Sequence, residues 1–104
     1  MVIVIVGVAG AGKTTIGQSL AVELGWRFVE GDNLHPRANV EKMQAGVPLT
    51  DADRQRWLAA LHAIIARALE RREHTVVACS GLKERYRQAL RGNLRTVRFV
   101  YLRA

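Results

Sequence analysis

Apolar residues along this chain alternate between short β-branched runs and longer stretches with helical spacing. Residues 2–6 (VIVIV) are apolar without alternation, which is typical of a central parallel strand that is covered on both faces. Similar short runs at 26–29, 75–79 and 97–102 predict three further strands. Strands that alternate with helical segments predict a single α/β domain in which helices flank a parallel sheet.

The helical segments carry start and stop signals. Ile16, Leu20 and Leu24 recur at a spacing of four and predict a first helix, which Gly25 ends as a C-cap. A short helix is expected from Pro36 to Ala45, with the proline in its first turn. A basic helix is expected over residues 82–90.

The longest helix is predicted to begin at Thr50, whose hydroxyl can cap it, with Asp53 completing a pair that resembles a capping box. Its apolar residues fall on one stripe at helical spacing. They are Trp57, Leu58, Leu61, Ile64, Ile65, Ala68 and Leu69.

Composition narrows the classes of partner. The 104 residues carry a formal charge of +7, which suits an anionic ligand and equally suits weak nucleic-acid binding. Neither an aromatic platform for base stacking nor a recognition helix is evident, so no specific nucleic-acid partner is expected. No run approaches the ~20 apolar residues that cross a membrane. The single cysteine, Cys79, cannot form an internal disulfide, which indicates a reducing compartment such as the cytoplasm.

A glycine-rich loop follows the first strand and matches the phosphate-binding pattern G-x-x-x-x-G-K-[ST] in full. Backbone N–H groups of such a loop point at phosphate oxygens, and the following helix adds its positive end. Lys13, expected to be an exposed electrostatic ligand, should bridge the β- and γ-phosphates of ATP, and Thr14 should ligate Mg²⁺. The predicted nucleotide-binding residues are Gly7, Ala9, Gly10, Ala11, Gly12, Lys13, Thr14 and Thr15.

Phosphoryl transfer to a hydroxyl needs a carboxylate that accepts or orients its proton. Asp32, just after the second strand, is the best-placed catalytic candidate beside Lys13, although it could instead form a helix cap or an Asx-turn. Glu30 would point to the same side of an extended segment. It either assists Mg²⁺ through water or lies on the surface.

Two sequence blocks resemble the gluconokinase family. Residues 31–54 contain every fixed position of the pattern G-D-x-L-H-P-x-x-N-x-x-K-M-x-x-G-x-P-L-x-D-x-D-R, and residues 78–87 are similar to A-C-S-A-L-K-x-x-Y-R. Arg56 stands where the family usually has proline, and Gly81 replaces a common alanine. The resemblance implies a P-loop NTPase-type fold, like that of nucleoside and shikimate kinases, and Mg²⁺-assisted phosphorylation of D-gluconate by ATP.

The resemblance also implies an acceptor site. An acidic sugar needs cationic groups, and the planar fork of Arg54 suits its carboxylate. His35 and Lys42 belong to the same acceptor loop, and Lys83 and Arg87 would close the site, whereas Asp32 would meet the reacting hydroxyl. His35 could instead cap the helix at Pro36, and the three cations could be solvated surface. Cys79, Met43 and Trp57 are expected in the core.

The family continues beyond the region matched here with a lid and an adenine-side wall, so residues 1–104 are expected to form one kinase domain that lacks both. If the chain ends there, apolar side chains of the fourth strand should be partly exposed and favour association, for example as a homodimer. These side chains are Val97, Phe99, Val100 and Leu102. An inactive nucleotide-binding fragment and a related metabolite kinase, acting on shikimate, a nucleoside monophosphate or adenylylsulfate, stay open as alternatives.

Overall fold

A parallel sheet forms the centre of the protein. The computed structural model describes residues 1–7, 12–80, 88, 91 and 96–102. The strands in these ranges are β1 (Val2–Gly7), β2 (Arg27–Glu30), β3 (Thr75–Ser80) and β4 (Val97–Tyr101), all parallel and in the order β2-β3-β1-β4. The predicted parallel α/β sheet, with the first strand at its centre, is confirmed.

Helices connect these strands close to the predicted boundaries. They are α1 (Lys13–Leu24), α2 (Arg37–Gln44) and α3 (Asp51–Glu70), and a 3₁₀ turn (Gly31–Leu34), which the sequence did not predict, follows β2. Pro36 is the N-cap of α2 and therefore lies just before its first turn. The helix predicted over 82–90 falls largely outside the described residues. No helix in the described part is both long and apolar enough to cross a bilayer.

Helix α3 covers one face of the sheet with the predicted apolar stripe. Leu61 and Ile65 are fully buried against alternate residues of β1 and β3, and only Ile64 and Leu69 of the stripe are half-buried. The capping box of Thr50 and Asp53 is present at the start of this helix. Helical spacing therefore predicted correctly both the helix and the face that packs.

Helix α1 covers the other face in a way that its spacing did not indicate. Ile16 and Leu24 are each 45% exposed, whereas the small residues Gly17 and Ala21 face the sheet. A Cβ atom added at Gly17 would lie 2.7 Å from Cε1 of Phe28. The helix packs through small residues because it approaches the sheet closely.

Two expectations about apolar side chains need correction. Val97 was expected to be partly exposed but is buried, while Phe99 and Leu102 are half-buried and Val100 is exposed. Pairing with central strand β1 places Val97 beside Val2 within the core. Met43 was expected in the core but is exposed, because the short helix α2 lies apart from the sheet and buries only Asn39.

Candidate active site

The carboxyl ends of three strands meet at one edge of the sheet. Gly7 at the end of β1 lies opposite Ser80 at the end of β3, and Glu30 at the end of β2 lies opposite Ala78. The phosphate-binding loop leaves this edge after β1, and the 3₁₀ turn leaves it after β2. The candidate ligands for phosphate and for the acceptor are thereby brought together, as is usual at this edge of a parallel sheet.

The second half of the phosphate-binding loop leads directly into α1. Gly12 is the N-cap with φ of +81°, a left-handed conformation that favours glycine. Among the described residues, neither a capping side chain nor an acidic residue occupies the first turn, and such a helix start suits an anion. Lys13 and Thr14 follow, and Thr15 is exposed. The predicted ligands Ala9, Gly10 and Ala11 lie outside the described residues.

Lys13 and Asp32 face each other at this edge. Lys13 Nζ lies 3.5 Å from Asp32 Oδ2, and Asp32 Oδ1 accepts a hydrogen bond of 3.1 Å from the backbone N–H of Ser80. The carboxylate of Asp32 therefore accepts its hydrogen bond from the distant strand β3. In an Asx-turn it would accept one from the backbone of its own turn. Lys13, expected to be exposed, is only 8% exposed. The ammonium group of Lys13 is therefore largely shielded from solvent and lies close to the Asp32 carboxylate.

Gly31 allows Asp32 to reach this position. A Cβ atom at Gly31 would lie 2.6 Å from the carbonyl oxygen of Ala78, so any other residue would push the turn away from β3. The indole Nε1–H of Trp57 donates to the carbonyl oxygen of Gly31 at 2.9 Å. Trp57 is thus buried in the core, as expected, and it also holds the turn that presents Asp32.

Glu30 belongs to the site and does not lie on the surface. Thr14 Oγ1 donates to Glu30 Oε2 at 2.5 Å, and within the described part of the chain the buried Glu30 Oε1 has no hydrogen-bond partner. A threonine hydroxyl that donates a hydrogen bond to a carboxylate still has its oxygen lone pairs available to bind a cation. Mg²⁺ prefers oxygen ligands and retains several waters, so Thr14, with Glu30 behind it, fits this ion.

His35 lies on the acceptor side of the same edge. Its ring stacks on Trp57 with centroids 4.4 Å apart, and its Nδ1 lies 3.2 Å from the amide nitrogen of Asn39. Burial lowers the pKa of His35, the charge of Asp32 opposes this, and the charge of Arg54 reinforces it. Nδ1 of His35 faces the side chain of Asn39 and not a backbone N–H of α2, and Pro36 is the N-cap, so the alternative role of His35 as the helix cap is not observed in the described residues.

The predicted cations of the acceptor loop have different environments. Arg54 Nη1 donates to the carbonyl oxygen of Leu49 at 2.9 Å, which fixes one side of the guanidinium. Lys42 Nζ lies 2.6 Å from Asp53 Oδ2, so the partly exposed Lys42 is held in an ion pair with a buried carboxylate. Lys83 and Arg87 lie outside the described residues.

Asp53 joins α2 to α3. The sequence indicated its capping box at the start of α3 but not its contact with α2. Its carboxylate accepts from Lys42, from the backbone N–H of Thr50 and, at 3.2 Å, from Arg56. Arg56, which replaces the proline usual in gluconokinases, thus adds a second cation to this buried carboxylate. The hydrogen bond from Lys42, followed by that from Thr50, lowers the pKa of Asp53 from 3.8 to about 2.

We expect Asp53 to make stability depend on pH in strong acid. Its pKa is lower in the folded state, so its contribution is present above pH 3.8 and is lost as the pH falls through about 2. Asp53→Asn should lower the midpoint of urea unfolding at pH 6. Below pH 4 this midpoint should decrease less steeply with falling pH than in the wild type. Glu23→Gln, on the exposed face of α1, is the control and should keep the wild-type profile. A parallel decline in Asp53→Asn and wild type would contradict the assignment.

Cys79 does not take part in the chemistry of this edge. It is a free, buried residue of β3, and burial raises the pKa of its thiol to about 12. A thiol with such a pKa is not a nucleophile at neutral pH. The expectation of a core cysteine is confirmed.

Comparison with known proteins identifies relatives along nearly the whole chain. A sequence family described as an AAA domain matches residues 2–104. A gluconokinase from Gluconobacter oxydans (strain 621H) is 50% identical over 100 residues, which cover 96% of this chain and 56% of that protein. The chain spans about half the length of the curated relatives it matches.

Solved structures agree with the fold. The crystal structure of a gluconokinase from Sinorhizobium meliloti 1021 superimposes with a TM-score of 0.87 at 46% identity, covering 98% of this chain and 57% of that one. Shikimate kinase from Acinetobacter baumannii, at a TM-score of 0.57 and 24% identity, covers 99% of this chain and 56% of that one and shares only the fold. On the strength of these matches, the chain belongs to the AAA-domain family and is a homologue of the gluconokinases.

Proposed function

We propose that this protein transfers the γ-phosphoryl group of ATP to D-gluconate, giving 6-phosphogluconate. The observation that carries the proposal is the convergence of Lys13 and Asp32, 3.5 Å apart, at the carboxyl edge of the sheet. A phosphate ligand and a proton acceptor are the two groups that phosphoryl transfer to a hydroxyl requires. The identity to gluconokinases, 50% over 100 residues for the Gluconobacter protein, selects gluconate among the possible acceptors.

Each residue of the edge has a role in this reaction. Lys13 and the N-terminus of α1 would bind the transferred phosphate and stabilise its charge. Thr14, supported by Glu30, would hold Mg²⁺, which neutralises phosphate charge when bound. Asp32 would accept or orient the proton of the gluconate hydroxyl, with its Oδ1 already fixed by Ser80. Binding of the phosphate would compete with Asp32 for Lys13 and so free the carboxylate for the hydroxyl.

Recognition of the gluconate carboxylate is assigned to Arg54. The carbonyl oxygen of Leu49 accepts one N–H of its guanidinium, and the described residues leave the other N–H groups for an anion. His35 lies close enough for the charge of Arg54 to lower the pKa of the imidazole. Lys42, Lys83 and Arg87 are proposed as further acceptor contacts. Lys42 would have to share its charge with Asp53.

The proposed setting is the cytoplasm, because a single free cysteine suits a reducing compartment. Association with a second copy is proposed at β4, which carries the exposed residues Val100 and Tyr101. Measuring the mass of the protein in solution tests this association.

The decisive experiment measures ADP formation by the purified chain with Mg²⁺ and ATP. Gluconate, shikimate, adenylylsulfate and a nucleoside monophosphate are compared as acceptors. We expect ADP to form with gluconate and the product to carry the phosphate on its terminal hydroxyl group, at C6. ADP formation with another acceptor but not with gluconate would overturn the proposal in favour of a related metabolite kinase. ATP binding without turnover on any acceptor would favour a nucleotide-binding fragment.

Arg54→Ala is expected to raise the KM for gluconate by about 10- to 150-fold, the loss of one charge-assisted contact worth roughly 1.5–3 kcal/mol. The KM for ATP should change little, because Arg54 lies on the acceptor side. The matched control is Arg67→Ala, which removes an exposed arginine from the same helix. An equal loss for gluconate and ATP would show that Arg54 is not an acceptor residue.

A further inference from the structure

The orientation of the Asn39 side chain follows from its neighbours. Asn39 is fully buried, and the nitrogen Nδ2 of its amide lies 2.9 Å from the backbone carbonyl oxygen of Asp53. A carbonyl oxygen can only accept a hydrogen bond, so the atom that faces it must be the NH₂ group. The reversed amide would place two oxygens in contact, which is unfavourable in the interior.

The same NH₂ group determines the protonation of His35. Nδ2 of Asn39 also lies 3.2 Å from Nδ1 of His35. An amide nitrogen is a donor and not an acceptor, so Nδ1 must accept this bond and cannot carry a proton. The proton of the neutral imidazole is therefore on Nε2.

The surroundings of His35 hold the ring in this state. Trp57 of α3 stacks on it at 4.4 Å with an interplanar angle of 15°. Burial lowers the pKa of His35 most, Asp32 of the 3₁₀ turn opposes it by favouring the imidazolium, and Arg54 of α3 acts in the same direction as burial, so the neutral ring is favoured. The ring is only half-buried, and among the described residues Nε2 has no hydrogen-bond partner. None of the described residues therefore competes with a ligand for this N–H.

We propose that Asn39 is a positioning residue that fixes His35 as a neutral Nε2–H donor to an oxygen of the acceptor substrate. Such a donor selects a hydroxyl or carboxylate oxygen and rejects an ammonium group. It also leaves proton acceptance to Asp32, because Nδ1 is occupied by Asn39. The identity of the oxygen rests on the proposed gluconate kinase function, whereas the tautomer does not.

The first test is independent of activity. Long-range ¹H–¹⁵N correlation spectra of the ¹⁵N-histidine-labelled chain at pH 7 without ligand distinguish the two neutral tautomers from the imidazolium. His62→Gln and His74→Gln assign the other two rings. We expect His35 in the Nε2–H form, and an Nδ1–H form or an imidazolium would overturn the inference. Because the wild-type chain gives the answer, the test does not depend on a variant that must fold.

Asn39→Asp tests the positioning role. Its carboxylate can accept but not donate, so the His35 proton should move to Nδ1 and its pKa should rise, in a protein that is less stable because two acceptors face each other. The KM for gluconate should then rise on the order of fivefold to tenfold, the value of one neutral hydrogen bond, with the KM for ATP unchanged. An unchanged His35 spectrum in folded Asn39→Asp would contradict the role.

Two substitutions of His35 separate this inference from the proposed function. Gln can place an N–H near the position of Nε2, so His35→Gln should retain most of the affinity for gluconate, whereas His35→Leu should lose it. Equal gluconate KM values for the two variants would overturn the donor role. A chain that shows the Nε2–H tautomer but uses no gluconate would refute the function and support the tautomer. A chain that uses gluconate but lacks the Nε2–H tautomer would refute the inference and support the function.

Discussion

Asp32→Asn is expected to slow gluconate-dependent ADP formation by about 10²- to 10⁴-fold, the usual contribution of a positioned proton acceptor. Asparagine has the same shape and can still accept the Ser80 N–H bond, which is 3.1 Å long at Oδ1 in the wild type. It can neither take the proton of the acceptor hydroxyl nor carry the charge that faces Lys13. The turn should therefore keep its position while the chemistry is lost.

Steady-state rates and ATP titrations of Asp32→Asn distinguish this role from a structural one. Affinity for ATP should be equal or higher, because Lys13 no longer shares its charge with a carboxylate 3.5 Å away. The control is Glu41→Gln, which removes an exposed carboxylate from neighbouring helix α2. A rate within threefold of the wild type, roughly 0.7 kcal/mol of barrier, would exclude Asp32 as the proton acceptor.

Lys13→Met is expected to weaken ATP binding by about 10- to 150-fold, since a charge-assisted contact to phosphate is worth roughly 1.5–3 kcal/mol. It should lower the rate further, because the lysine also stabilises charge that develops during transfer. Methionine is chosen because Lys13 is only 8% exposed and a truncated side chain would leave a gap at this buried position.

Calorimetric titration with ATP and with tripolyphosphate measures this effect. The two ligands should lose affinity by similar factors, because the proposed role of Lys13 is to contact the phosphates and not the base. Thermal unfolding monitored by tryptophan fluorescence provides the control for folding, and the midpoint should stay close to that of the wild type. Full ATP affinity in folded Lys13→Met would defeat the assignment of this loop to phosphate binding.

Local patterns in the sequence determined the elements of this fold. The β-branched run at 2–6 predicted the central strand, and Thr50 with Asp53 predicted the start of α3. The stripe that includes Leu61 and Ile65 predicted the face of α3 that packs. These features depend on residues within a few positions of each other, where backbone geometry fixes which side chains share a face. The phosphate-binding pattern can also be identified from the sequence, because its residues are consecutive.

Only the tertiary structure decided which side chains meet across elements. Asp32 reaches Ser80, 48 positions away, because Gly31 lets the turn approach β3, and Thr14 meets Glu30 because β1 and β2 end at the same edge. The family pattern contains Asn39 and Lys42 but does not say that one orients His35 and the other neutralises Asp53. Such contacts depend on where α2 lies relative to the start of α3, and residues distant in sequence set that position. A local pattern states which residues share one face of an element, and only the assembled fold states what that face meets.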